Sequence, residues 1–304
     1  MIDRLINILV TITLIEMMVA IGLGVTFADL MGVARNWRLV VRAALANYVC
    51  VPAAAVGLLL LFHAHPMVAA GFLILAVCPG APYGPPFTAI AKGNVAVSVG
   101  LMAILAGSSA ILAPLLLHFL LPMLSGDDSL SVDVTRIAGT LLVTQLLPLC
   151  AGVAVGHWRP LLAGRLQKPA NRLSKVLNLV VVGLILVVQF HLLTEIRLRA
   201  YVGMLALLIA SWVAGWLLGG LESGSRKAMT LTTSLRNVGV GLVIATGAFA
   251  GTPAVTATLV YGLFEVIGSL LLALWWVRQT PAIDRPVAGA MLETLAMQEK
   301  SGPS

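Results

Sequence analysis

Between Pro79 and Pro86 the chain packs four prolines and two glycines into eight residues, inside an apolar stretch otherwise long enough to cross a bilayer. A proline within a helix removes a hydrogen-bond donor and clashes with the carbonyl four residues back. In hydrocarbon each backbone group freed in this way costs several kcal/mol unless protein or cavity water satisfies it. Broken backbone at membrane depth is tolerated where it lines a cavity, so an interrupted helix is a sequence pointer to a transporter's binding site.

Composition settles the solvent. Of 304 residues, 60% are hydrophobic and 10% charged, against about 25% charged in an ordinary soluble domain, and the mean hydropathy is +1.02. A soluble core cannot absorb that much apolar surface. The net charge of +7 raises the question of nucleic acid. Its lysines and arginines fall in short segments between apolar runs, however, which is a topology signal and excludes no-membrane readings such as nucleic-acid binding.

Measured against a span of about 20 residues, the sequence predicts an all-α integral membrane protein with nine passages, near 5–26, 38–62, 67–92, 95–121, 134–156, 176–194, 201–219, 226–250 and 254–277. The third is interrupted at Pro79 to Pro86. The eighth is interrupted by polar residues and glycine at Thr232-Thr233-Ser234-Leu235-Arg236-Asn237-Val238-Gly239. Residues 1–280 form the transporter domain, and the polar tail 281–304, with a short helical pattern near Val287 to Met297, is expected at the surface.

Basic residues orient the chain. With the amino terminus outside, the inside segments hold Arg35, Arg38, Arg42, Lys92, Arg159, Arg165, Lys168, Arg172, Lys175, Arg226, Lys227, Arg278, Arg285 and Lys300, against Arg4, Arg197 and Arg199 outside. The acidic Ser125-Gly126-Asp127-Asp128 and the turn His63-Ala64-His65-Pro66 then also lie outside. This places the protein in a cell membrane with its carboxyl terminus in the cytoplasm. The first run is too long for a signal-peptide core and lacks a small-residue cleavage site, so it is expected to stay as a helix. The two interruptions lie about 150 residues apart, on passages of opposite direction, with a basic loop from His157 to Lys175 between them. That spacing predicts inverted repeats with the substrate near the midplane.

Cys78-Pro79-Gly80-Ala81, followed by Thr88-Ala89-Ile90-Ala91-Lys92-Gly93-Asn94-Val95-Ala96-Val97-Ser98, resembles the bile acid:sodium symporter family, whose members read C-P-G-G, S-N and then T-x-L-A-K-G-[DN]-x-A-L-S. Ile21-Gly22-Leu23-Gly24 with Asp29-Leu30, Asn47-Tyr48-Val49-Cys50-Val51-Pro52, Leu146-Leu147-Pro148, Lys227 through Asn237 and Gly268-Ser269-Leu270-Leu271 are similar to further family segments, in order along nearly the whole chain. The resemblance implies panel and core domains with two broken helices crossing at the centre, here in the nine-helix form. It also implies sodium sites, and the residues depart from them. The family's S-N pair falls on Gly84 and Pro85, and its E-x-G-M-Q-N falls on Thr232 to Asn237, so Thr232 stands for the carboxylate and Arg236 for the glutamine. Ser98 keeps a hydroxyl and Asn47 an amide. A hard cation wants several oxygen ligands, carboxylate among them, and a guanidinium repels it. Sodium coupling in the family's manner is therefore not expected, and a proton is the candidate replacement.

Arg236 is the residue to single out, because an intramembrane charge costs between about 2.5 and over 10 kcal/mol and is by default functional. Its planar fork matches a carboxylate, so it is a candidate for binding a small organic anion. The alternatives are an ion pair with a buried acid such as Glu265, or a side chain reaching a membrane edge. Glu265 is either the holder of a coupling proton or that ion-pair partner. Glu16 is either a proton or substrate group or a structural carboxylate. The proline-rich break is either a site, with half-helix amino termini open to anions, or a buried kink. The candidate substrate-binding set is Arg236, Asn237, Thr232, Thr233, Ser234, Tyr83, Gly84, Pro85, Thr88 and Asn47, and the candidate ion-coupling set is Glu265, Glu16 and Ser98. Gln145 and Gln189 are expected to bond between helices.

Metal, redox and cofactor chemistry find no signal. Cys50, Cys78 and Cys150 are far apart, the histidines His63, His65, His118, His157 and His191 show no H-E-x-x-H spacing, and there is neither G-x-S-x-G nor G-x-x-x-x-G-K-[ST], hence no ATP-driven step within the chain. Two function classes remain: a secondary transporter of a small organic anion by alternating access, or an intramembrane enzyme acting on a lipid or amphiphile with Glu265 or Glu16 as base. The second class wants His/Asp or paired carboxylates near one membrane face, a pattern this sequence lacks.

Overall fold

The computed structural model describes residues 2–125, 132–188 and 198–279. Among the described residues, seven helices are long and apolar enough to cross a membrane, and two interrupted pairs are built from shorter helices. In chain order, α1 (Ile2–Gly24) leads through the capped amphipathic α2 (Phe27–Arg35) to α3 (Trp37–Leu45) and α4 (Val51–Leu61), which a π-turn at Ala46–Cys50 joins into one passage. The first interrupted pair is α5 (Pro66–Ala76) and α6 (Gly84–Ile90), followed by the long α7 (Val95–Ser125). A second passage with a π-turn consists of α8 (Val134–Leu141), the turn Leu142–Leu146 and α9 (Leu147–Trp158). Then come α10 (Pro160–Val188), α11 (Leu198–Leu218), the second interrupted pair α12 (Ser223–Ser234) and α13 (Val238–Ala248), and α14 (Pro253–Gln279).

The stretch expected as a basic loop from His157 to Lys175 is mostly helix, because α10 already starts at Pro160. Its 29 residues rise about 44 Å at 1.5 Å each, enough for the hydrocarbon and both headgroup layers. Leu161, Leu162, Leu166 and Leu173 alternate along it with Arg165, Lys168, Arg172 and Lys175, so the basic half suits an interface without leaving the helix. The expected residues 189–194 of that passage, the acidic residues 126–128, Gln189, His191, Arg197 and the tail 281–304 lie outside the described residues.

Helices α1 and α10 run antiparallel. A Cβ on Gly24 would fall 2.5 Å from Nε2 of Gln167, whereas further back along α1 the contacts are Glu16 with Ser174 and Met17 with Asn178. Around α1 gather α9 and α10; α4, α5, α6, α7, α11, α12 and α14 pack mainly on one another, and α13 bridges from them to α1. This is the two-part arrangement expected of a panel and a core. Where α1 meets α9 the backbones nearly touch, since a Cβ on Gly22 would lie 2.8 Å from Gly152 Cα. Small residues let membrane helices approach in this way. The outward faces are apolar, as at Leu61, Phe119, Leu179, Val187 and Leu217, each more than two-thirds exposed, which is the surface lipid requires.

Candidate functional site at the crossing of the broken helices

The two breaks meet. Pro79 and Arg236 form an antiparallel bridge, the Asn237 N–H donates to the Cys78 carbonyl at 2.7 Å, and the Asn237 amide donates to the Gly80 carbonyl at 3.3 Å. Each interruption thereby satisfies backbone groups that the other leaves open, the condition for non-helical chain at membrane depth. Asn237 also caps α13, its Oδ1 accepting from the Val240 N–H at 3.2 Å. Gly80 makes the first crossing possible. Its φ is +91°, and a Cβ there would fall 2.5 Å from the Ala106 nitrogen of α7.

Helix α12 brings its polar side chains into this centre rather than to lipid. Thr232, Thr233, Ser234 and Arg236 are at most 2% exposed, and Asn47, Thr88, Ser98, Asn237 and Glu265 are wholly buried. Three hydroxyls form a chain: Thr88 Oγ1 donates to Ser98 Oγ at 3.1 Å, and Ser98 Oγ lies 3.2 Å from Thr232 Oγ1. Gly84 covers them, with a Cβ there 3.5 Å from Ser98 Oγ and 3.7 Å from Thr232 Oγ1. Ser234 Oγ pairs with Ser269 Oγ of α14 at 2.9 Å.

A second group surrounds the guanidinium. Arg236 Nη1 donates to Asn47 Oδ1 at 3.1 Å, and Asn47 Nδ2 donates to the Ala43 carbonyl at 2.9 Å and to Thr233 Oγ1 at 3.3 Å. The Asn47 amide is turned inward by the π-turn, one residue of which is Asn47 itself; such turns recur at functional sites. Nε and Nη2 of Arg236 are buried and have no hydrogen-bond partner among the described residues, and neither has Glu265 Oε2. Glu265 is held instead by its other oxygen, which accepts from the Arg236 backbone N–H at 2.6 Å. Among the described residues the two charged side chains therefore make no direct hydrogen bond to one another. Of the two readings of Glu265, the side-chain ion pair with Arg236 is not formed among the described residues; the carboxyl clamps the backbone of the break instead.

Residues 11–213 match the family described as the sodium bile acid symporter family. The chain belongs to that family. Similar proteins include the uncharacterized sodium-dependent transporter YocS of Bacillus subtilis, 26% identical over 94% of this chain and 88% of that protein. The probable sodium/metabolite cotransporter BASS1 of Arabidopsis thaliana, chloroplastic, is 26% identical over 85% of this chain and 64% of its own, and the rice BASS2 counterpart is 24% identical over 91% and 66%. As a sodium bile acid symporter family member the chain is an integral membrane secondary transporter, and not an enzyme.

Within this family member the expected residues do not all fall in one place. Asn47, Gly84, Thr88, Ser98, Thr232, Thr233, Ser234, Arg236, Asn237 and Glu265 surround the crossing, with Pro85 half-buried beside Gly84. Tyr83 points away toward the panel, where its hydroxyl accepts from Asn178 of α10 at 3.4 Å. Glu16 is on α1, where Ser174 Oγ donates to its Oε2 while Oε1 is buried with no hydrogen-bond partner among the described residues; it faces α10 and not the crossing. Gln145 bonds between helices as expected, to Ala106 O and to Ser109 Oγ. Ser269, Ser174 and Asn178 escaped the sequence reading. Each is a single small polar residue in an apolar or amphipathic run, and only its partner across the fold distinguishes it.

Proposed function

We propose that this protein moves a small organic anion across a cell membrane by alternating access at the crossing of the two breaks, with Arg236 as the fixed counter-charge and without sodium at the family's positions. The observation that carries this is the buried guanidinium whose Nε and Nη2 have no partner among the described residues. Those two donors lie on one edge of the planar fork, the edge that takes a carboxylate bidentately. Desolvating a guanidinium costs several kcal/mol, so a site that leaves two of its donors unfilled is built for an incoming acceptor. A cation is disfavoured by the same charge. The hydroxyl chain of Thr88, Ser98 and Thr232 offers oxygens but no carboxylate. Glu265, whose Oε2 has no hydrogen-bond partner among the described residues, is the group proposed to hold a coupling proton. The amino terminus is proposed to lie outside and the carboxyl-terminal tail inside.

The test is uptake into proteoliposomes with sodium replaced by potassium or choline. Flux is expected to persist, and a steep, saturable sodium requirement overturns the sodium part. Arg236→Lys keeps the charge and loses the fork, so affinity should fall by about 1–2 kcal/mol given charge-assisted hydrogen bonds of about 1.5–3. Arg236→Gln should remove most anion binding in a titration; unchanged affinity there makes the arginine structural.

A further inference from the structure

Away from the crossing, a cavity of about 880 Å³ lies between α4, α5, α11 and α14. It sits at the end of the molecule where α1 begins: Pro253 lines it, and the adjoining Gly251 would place a Cβ 3.7 Å from the Asp3 carboxylate. Its depth is apolar, with Ala55, Leu59, Phe72, Met204, Leu207 and Val260 on the walls. Phe72, on its wall, stacks on Tyr261 with ring centroids 5.1 Å apart, and neither Tyr261 nor Glu265, one helical turn further along α14, lines the cavity. Its polar side chains gather at the rim. Arg199, His63 and His65 are exposed there, α5 and α14 begin beside them with the positive ends of their dipoles, and among the described residues no carboxylate lines the space. Leu60, Leu61, Tyr201, Val202 and Leu205 flank it on the lipid-exposed faces of α4 and α11.

We propose that this cavity is a second binding site, separate from the transport site, for a single-chain amphiphile with an anionic head such as a long-chain carboxylate: the chain in the apolar depth and the head on Arg199. The volume falls within the ~300–1,000 Å³ of small-molecule sites. Burying a chain gains about 0.8 kcal/mol per methylene relative to water, while the positive rim selects the sign of the head. Two side-by-side requirements, a dry floor and a basic edge, are met here by different residues and can be removed separately.

The probe is a spin-labelled stearate titrated into the purified full-length protein in neutral detergent, read as the motionally restricted component of the spectrum. Gly203→Leu projects into the cavity, since a Cβ at Gly203 meets only the Phe62 ring at 3.6 Å, and should abolish that component. Val68→Phe on the opposite wall carries the same expectation should Gly203→Leu not yield monodisperse protein. Arg199→Gln should weaken binding by up to about fivefold, the upper end for an exposed ion pair, and the stearate methyl ester should bind as weakly to the parent protein. An undiminished restricted component in both wall variants overturns the site, and equal binding of acid and ester overturns the anionic head. Displacement of the label by phosphatidylglycerol as readily as by stearate overturns the single-chain ligand in favour of bilayer lipid. Anion flux through Arg236 should not change in Gly203→Leu.

Discussion

At the scale of single residues the molecule turns on how the guanidinium of Arg236 is accommodated in a fully buried position. One of its donors is taken by Asn47, and Asn47 is in turn fixed by Ala43 O and Thr233. Asn47→Leu should therefore lower detergent-phase thermal stability by the loss of a hydrogen bond to a charged group, about 1.5–3 kcal/mol. Removing both partners of a buried bond is far less costly than removing one, so Asn47→Leu with Arg236→Leu should recover part of that loss in a double-mutant cycle. Strictly additive losses would show that the two side chains do not act together. Arg236 was visible in the sequence because a charge among apolar residues has few explanations. Its bond to Asn47 was not, since 189 positions separate them and no local pattern records the π-turn that aims the amide.

At the scale of elements, the two breaks show how differently one structural outcome can be written. Pro79 to Pro86 announces itself, because proline cannot continue a helix from within and can only open one, as Pro85 and Pro86 do in the first turn of α6. The break at Leu235 to Asn237 has no proline. It is opened from outside, by Glu265 accepting from the Arg236 N–H and by Cys78 O accepting from the Asn237 N–H, and the sequence offered only polar residues as a hint. The helical start of α10 was misread for a related reason: lysine and arginine were weighed as loop residues, whereas their long stems suit a helix at the membrane edge. Gly80 tests the element-level account. Gly80→Ala adds a methyl at φ +91° and 2.5 Å from the α7 backbone, so it should prevent recovery of monodisperse protein. Gly57→Ala, at a helical glycine with nothing within 4 Å, should be neutral or stabilise by up to about 1 kcal/mol. Equal behaviour of the two variants in size-exclusion chromatography would mean that the crossing does not depend on Gly80.

At the scale of the whole molecule, the alternating access proposed above has the group around α1, α9 and α10 shift against the remainder, and α1 meets α13 along the seam between them. Side chains make that seam, among them Asn7 Nδ2, which donates to Thr246 Oγ1 at 3.0 Å. Gly239 of α13 sits against the methionine tip of Met17 and against Leu14, and Asn178 reaches Tyr83 through a long 3.4 Å hydrogen bond, whereas the crossing itself is tied by backbone bonds. Side-chain contacts of this kind, a flexible thioether among them, can exchange without unpairing the backbone bonds of the crossing. Cysteines at Met17 and Gly239, in a background with Cys50 and Cys150 replaced by serine, should therefore be joined by a short bifunctional maleimide. Flux in proteoliposomes should stop once the link is formed, while controls carrying only one of the two introduced cysteines, treated alike, keep transporting. A cross-linked protein that still transports at the parent rate would show that α1 and α13 do not separate in the cycle. The site would then have to be reached by movement within the broken helices alone.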